Sequence, residues 1–179
     1  MSGFGRDNNV ILIGMPGSGK STVGVLLAKA LCVDYADTDL LLQRSRMRPL
    51  KNIIDAVGPE GFLELEADLI CSLTLRDHVI ATGGSVVCRE RSVRHLKSSG
   101  VLVWIDAPLE DLERRIGGMK GIRARGVAIG RGMTLKDLFD QRLPLYEKAA
   151  DIRVECGGLD AERCCAKIIQ ELERYGTGR

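Results

Sequence analysis

The string Gly14-Met15-Pro16-Gly17-Ser18-Gly19-Lys20-Ser21-Thr22 stands directly after the apolar run Val10-Ile11-Leu12-Ile13, and Ser21 to Leu31 then has helical spacing. Strand, glycine-rich turn and helix in that order constrain the fold more than any other feature of the chain. The pattern G-x-x-x-x-G-K-[ST] is that of a phosphate-binding loop, in which glycines let backbone N–H groups turn toward anionic oxygens that a side chain would exclude. The helix N-terminus adds its partial positive charge to the same place. Gly17, Ser18, Gly19, Lys20, Ser21 and Thr22 are therefore candidate nucleotide-phosphate ligands, with Lys20 neutralising the outer phosphates and the Ser21 hydroxyl meeting Mg2+.

Downstream, short apolar segments alternate with amphipathic ones. The spacing predicts strands at Val10 to Ile13, Val33 to Ala36, Val79 to Ala81, Val101 to Ile105 and Ile152 to Val154. It predicts helices at Ser21 to Leu31, Leu40 to Arg46, Leu50 to Ala56, Gly61 to Leu73, Arg89 to Lys97, Leu109 to Ile116, Leu135 to Lys148 and Ala161 to Tyr175. This is an α/β alternation, implying a mostly parallel sheet covered by helices on both faces, with ligands at the carboxyl ends of the strands. The 179 residues, 45% of them hydrophobic, fit a single domain over 1–179.

Charge excludes some partners. A net charge of +2 argues against nucleic acid and against an anionic membrane surface, and no apolar run is long enough to span a bilayer. The six cysteines (Cys32, Cys71, Cys88, Cys156, Cys164, Cys165) lack zinc-type spacing, and the N-terminal MSGFGRDNNV has no apolar signal core. The expectation is a cytoplasmic chain with most thiols reduced and packed as small core residues. No coiled-coil pattern is present, which favours a monomer.

Asp37-Thr38-Asp39 closes the second predicted strand. Two carboxylates one residue apart can serve one cleft, Asp37 ordering magnesium and Asp39 accepting a proton from a substrate hydroxyl; one of them can equally be a helix N-cap. Ala81-Thr82-Gly83-Gly84-Ser85 closes the third strand, where glycines allow backbone to approach a ligand, or simply make a turn. The segment 117–132, GGMKGIRARGVAIGRG, carries Lys120, Arg123, Arg125 and Arg131 and reads either as a mobile lid that closes over transferring phosphates or as a solvated basic loop. Arg142, in Arg142-Leu143-Pro144-Leu145-Tyr146, can pair with a substrate carboxylate or form a surface salt bridge.

Taken together, GMPGSGKSTVG, ADTDLLLQ, IATGGSVV, the Gly-Gly-x-x-x-x-Arg lid segment and RLPLYEKAAD resemble the shikimate kinases in order and spacing over nearly the whole length. The resemblance implies a P-loop kinase fold with a five-stranded parallel sheet sandwiched by helices and a mobile lid. It implies ATP-dependent phosphorylation of the 3-hydroxyl of shikimate. By matching positions, Gly17, Gly19 and Lys20 would hold phosphates, Ser21 and Asp37 magnesium, and Asp39 the acceptor hydroxyl as base. Gly83, Gly84 and Arg142 would bind the acceptor, the lid arginines Arg123 and Arg125 would be catalytic, and Arg115 would flank adenine.

Three departures fall on the acceptor side. Phe62-Leu63-Glu64-Leu65-Glu66 stands where the family has F-R-x-x-E, so a second carboxylate-binding arginine is missing. Ser85 replaces the third glycine of G-G-G, and Arg123-Ala124-Arg125-Gly126-Val127 replaces the lid's R-P-L-L. Arg44, Arg46 or Arg48 could supply the missing cation, or form a solvated basic face. The alternatives are a kinase of the same fold acting on another hydroxy acid, polyol or hydroxy-amino acid, and a nucleotide-binding relative without turnover.

Overall fold

The computed structural model describes residues 8–117, 121, 126–130 and 132–177. Five strands, β1 (Asn9–Ile13), β2 (Asp34–Asp37), β3 (His78–Ala81), β4 (Gly100–Asp106) and β5 (Ile152–Glu155), form one parallel sheet in the order β2-β3-β1-β4-β5. Among the described residues seven α-helices flank it: α1 (Lys20–Leu31), α2 (Thr38–Arg46), α3 (Leu50–Ser72), α4 (Glu90–Ser99), α5 (Leu109–Ile116), α6 (Leu135–Ala149) and α7 (Ala161–Thr177).

Strand β1 is buried along its whole length, as a central parallel strand covered on both faces must be. Successive side chains point to opposite faces, which divides the core in two. Ile11, Ile13, Ile80, Leu102 and Trp104 pack on one side with Leu96 of α4, Leu112 of α5 and Leu138 of α6. Val10, Leu12, Val79, Val103 and Ile105 pack on the other with Val23 and Leu27 of α1 and Ile168 and Leu172 of α7. A third, smaller cluster joins Leu42 of α2, Leu50, Ile53 and Phe62 of α3, and Ala128.

The expected elements are all present, with shifted ends. The segments 50–56 and 61–73 run together as α3, interrupted at Gly58, whose φ of 73° is not helical and which stands before Pro59. Helix α2 begins at Thr38 rather than Leu40, because the Asp37 side chain accepts hydrogen bonds from the backbone N–H groups of Asp39 and Leu40 and so caps the helix. Asp39 therefore lies in the first turn of α2 and not at a strand end.

The cysteine expectation is corrected at one pair. Cys156, just after β5, and Cys164, in the first turn of α7, form a disulfide across a Cα–Cα distance of 5.7 Å. Both still pack in the core. The turn from β5 into α7 brings them together, a meeting that a separation of eight residues does not reveal by itself. Trp104 is buried as expected and stacks on Tyr146 of α6, with ring centroids 5.9 Å apart. No helix among the described residues is long and apolar enough to cross a membrane.

Candidate active site

At the carboxyl end of β1 the chain turns through Gly14, Gly17 and Gly19, all at positive φ, and enters α1. Gly17 is required for space as well: a Cβ there would lie 2.7 Å from Ile116 Cγ1 of α5. Lys20 is buried, and its ammonium donates to the carbonyls of Gly14 and Met15, each at 2.8 Å, across the base of the loop. Burial pulls its pKa down to about 8, with Asp39 opposing that shift.

Ser21 Oγ donates to Asp37 Oδ2 at 2.7 Å, and the Tyr35 hydroxyl donates to the same oxygen at 3.2 Å. Asp37 therefore caps α2 through Oδ1 while accepting from Ser21 through Oδ2. Burial, and then the Asp37 charge, push the Tyr35 hydroxyl up to about 12, so it stays a donor. A serine hydroxyl beside a carboxylate is a hard-oxygen donor set, which fits Mg2+ better than a softer metal. Among the described residues no cluster of three or more His, Cys, Asp or Glu forms an all-protein metal cage.

A cavity of about 360 Å³ opens over the loop. Gly17, Gly19, Lys20, Ser21 and Thr22 line it from the phosphate side; Asp39, Gly83, Gly84, Ser85 and Arg142 line it from the other. Burial, then the like charge of Asp37, raises the Asp39 carboxyl to about 6, with Lys20 opposing. Gly83 donates its N–H to Thr38 Oγ1, and a Cβ at Gly83 would come within 2.8 Å of Asp39 Oδ1 and collide with Glu66 Oε1. Only a glycine lets these two carboxylates close on the strand end. Gly84 is held by the Tyr146 hydroxyl, which donates to its carbonyl.

Arg142 is 4% exposed, so it is no surface salt bridge; its guanidinium donates to the Ala128 carbonyl at 3.0 Å and projects into the cavity wall. Ser18 is buried beneath the loop, and its carbonyl accepts from Arg115 at 3.4 Å. Arg115 also donates to Leu159 O at 3.3 Å and lines both the large cavity and a neighbouring one of about 250 Å³. Arg44, Arg46 and Arg48 are exposed, and none lines the large cavity, so the structure does not place them as the missing cation. The lid residues Arg123 and Arg125, with Lys120 and Arg131, lie outside the described residues.

A family model described as shikimate kinase matches residues 16–173. The chain belongs to the shikimate kinase family. A shikimate kinase of Thermodesulfovibrio yellowstonii is 34% identical over 172 residues, covering 96% of this chain and 98% of that one. A shikimate kinase of Acinetobacter baumannii, solved in complex with shikimate, superposes with a TM-score of 0.82 at 27% identity over 94% of each chain. Human threonine synthase-like 1 is 37% identical over 172 residues, and the chain spans 23% of that relative's length.

Glu66, which matches the glutamate of F-R-x-x-E and to which the sequence assigns no role, lies against Gly83 at the edge of this site. Glu66 is 3% exposed, and its Oε1 has no hydrogen-bond partner among the described residues. Burial raises its carboxyl to about 7, while a hydrogen bond from Ser85 works against the rise. The missed signal is positional: Phe62, Glu66 and Ile70 recur four apart on one buried face of α3, where an acidic residue is out of place unless it serves the site. His78 and His95 each bond a backbone carbonyl and stand apart from the site.

Proposed function

We propose that this chain transfers the γ-phosphoryl group of ATP to the 3-hydroxyl of shikimate. The observation that carries the reading is that one cavity gathers a phosphate-binding loop, a buried lysine, the Asp39 carboxyl and a buried arginine. The loop N–H groups and Lys20 hold the phosphates, and the ammonium balances charge that grows on them during transfer. Asp39 orients the acceptor hydroxyl for in-line attack and takes its proton. Gly83 and Gly84 present backbone to the acceptor, and Arg142 pairs with its carboxylate. Arg115 lies against the adenine, and Arg123 and Arg125 reach the phosphates from the lid, excluding water. Ser21 and Asp37 would hold Mg2+, which when bound neutralises and orients the β- and γ-phosphates.

The protein acts as a monomer in the cytoplasm, where ATP and magnesium are supplied. ATP and a small acceptor are its partners, without nucleic acid or membrane.

The test is coupled ADP release from purified protein with ATP and Mg2+ against shikimate, gluconate and homoserine. Saturable turnover with shikimate is expected. Turnover with a different hydroxy compound alone would assign the site to another acceptor, and nucleotide binding without any turnover would make the chain a non-catalytic relative.

A further inference from the structure

The cavity of about 250 Å³ beside the phosphate loop is lined by Ser18, Gly19 and Thr22 on one side and by Cys156, Leu159 and Cys164 on the other, with Arg115 between. Phosphates on the loop direct the rest of a nucleotide over Arg115, whose planar guanidinium can stack on a base. The far wall is the connection from β5 to α7. Cys156 N–H donates to Asp106 O at 2.7 Å, Gly158 N–H donates to Asp111 Oδ2 at 2.7 Å, and Leu159 O accepts from Arg115. The wall is therefore fastened to α5, the helix that carries Arg115, and the Cys156–Cys164 disulfide fastens it to α7.

We propose that Cys156 and Cys164 form a redox modification site in the wall of the nucleotide cavity, and that their disulfide sets its affinity for ATP. The proposal rests on the reading that ATP occupies this end of the cleft. A cross-link between β5 and α7 limits the arrangements of the wall, so a nucleotide orders less on binding. Reduced thiols cannot remain at bonding distance and must spread to van der Waals separation, which loosens the surface that faces the base. Cys156 and Cys164 are 2% and 3% exposed and both line the cavity, so a reagent meets them through the space a nucleoside fills.

The chemistry is thiol–disulfide exchange. On oxidation the two protein thiols lose two protons and two electrons as the S–S bond forms, and a low-molecular-weight disulfide takes them up to become two thiols; reduction is the reverse. The neighbouring Cys165 is buried in the same core, and burial raises its thiol pKa, so it stays protonated and attacks the disulfide poorly. Disulfides that persist in a cytosolic setting are commonly catalytic or redox-sensing, which suits a pair in a ligand cavity better than a structural staple.

Linkage makes the idea sharp: whatever factor the disulfide adds to ATP affinity, ATP must add to disulfide stability. Isothermal titration with ATP is done on wild type held oxidised or reduced, with thiols counted under denaturing conditions. The disulfide fraction is also titrated against a glutathione buffer with and without ATP. The oxidised form is expected to bind ATP at least about threefold tighter, and ATP to shift the thiol–disulfide equilibrium by the same factor. The double variant Cys156→Ser/Cys164→Ser should lose the redox response. Equal affinities in the two states, or six free thiols after oxidant treatment, overturn the proposal from wild type alone. If affinity responds to redox state while neither form phosphorylates shikimate, the modification site stands and the kinase reading fails; turnover with equal ATP KM in both states does the reverse.

Discussion

On the phosphate-loop side of the cleft, one uninterrupted stretch from Gly14 to Thr22 supplies the loop, the lysine and the Ser21 hydroxyl. On the acceptor side, Asp39 comes from α2, Glu66 from α3, Gly83 and Ser85 from the end of β3, and Arg142 from α6. The first group keeps the family pattern without exception, whereas the second carries Leu63 and Ser85 in place of an arginine and a glycine. Transfer chemistry tolerates little change because every substrate presents the same phosphates. The acceptor wall is assembled from four separate elements, and the buried Oε1 of Glu66, without a partner among the described residues, lies beside the departure at Leu63.

The largest expected effects fall on the transfer machinery. Lys20→Ala and Asp39→Asn should each lower kcat by about a hundredfold or more while circular dichroism and thermal melts show a folded chain, since both act on charge that develops during transfer. Normal turnover in either folded variant would erase the contrast between the two sides.

Arg142→Ala should raise the acceptor KM by about tenfold or more with little change in the ATP KM, because a charge-assisted pair contributes about 1.5 to 3 kcal/mol. Equal changes in both constants would instead make Arg142 a support for the Ala128 carbonyl.

Leu63→Arg would restore a cation at the departure on the acceptor side. Positions 63 and 66 are three apart on α3, so the introduced guanidinium can pair with Glu66, which lies against Gly83. It should improve kcat/KM for shikimate by about tenfold, in line with one charged hydrogen bond, and leave ATP affinity alone. A loss of shikimate turnover would show that the wall around Leu63 is fitted to a different acceptor.

The smallest effect is on stability and follows from Glu66, whose carboxyl is raised by burial from an ordinary 4.5 to about 7 in the folded chain. The folded state holds this proton where the unfolded state has released it. The contribution of Glu66 is therefore complete below about 4.5 and is lost progressively as pH rises to about 7. Glu66→Gln, which cannot ionise, should gain unfolding free energy relative to wild type between pH 5 and pH 8, by an amount on the order of 1–3 kcal/mol in denaturant titrations. A pH-independent difference would mean that Glu66 has a charged partner in solution.

Much of this is legible in the sequence. Phosphate loops and parallel strands are specified locally: Gly14 to Thr22 is one contiguous motif, and the apolar runs around Val10, Val79 and Val101 announce buried strands by length and residue type alone. Asp37 was readable as either a cap or a magnesium partner, and only the placement of Ser21 opposite it showed one side chain facing both ways. The break in α3 at Gly58 was foreshadowed by Gly58-Pro59, whose backbone demands are local too.

The amino-acid order by itself determined the alternation, the five strands, the phosphate loop and the family, because each depends on neighbours within a few residues or on a pattern that survives without contacts. Tertiary structure decided the rest. Glu66 became part of the site only when Gly83 was laid against α3, Arg142 became buried only when α6 closed over the strand ends, and Cys156 met Cys164 only when β5 turned into α7. Those outcomes depend on burial and distance between segments far apart or turned back on one another, and such quantities are set by the packing of the whole chain.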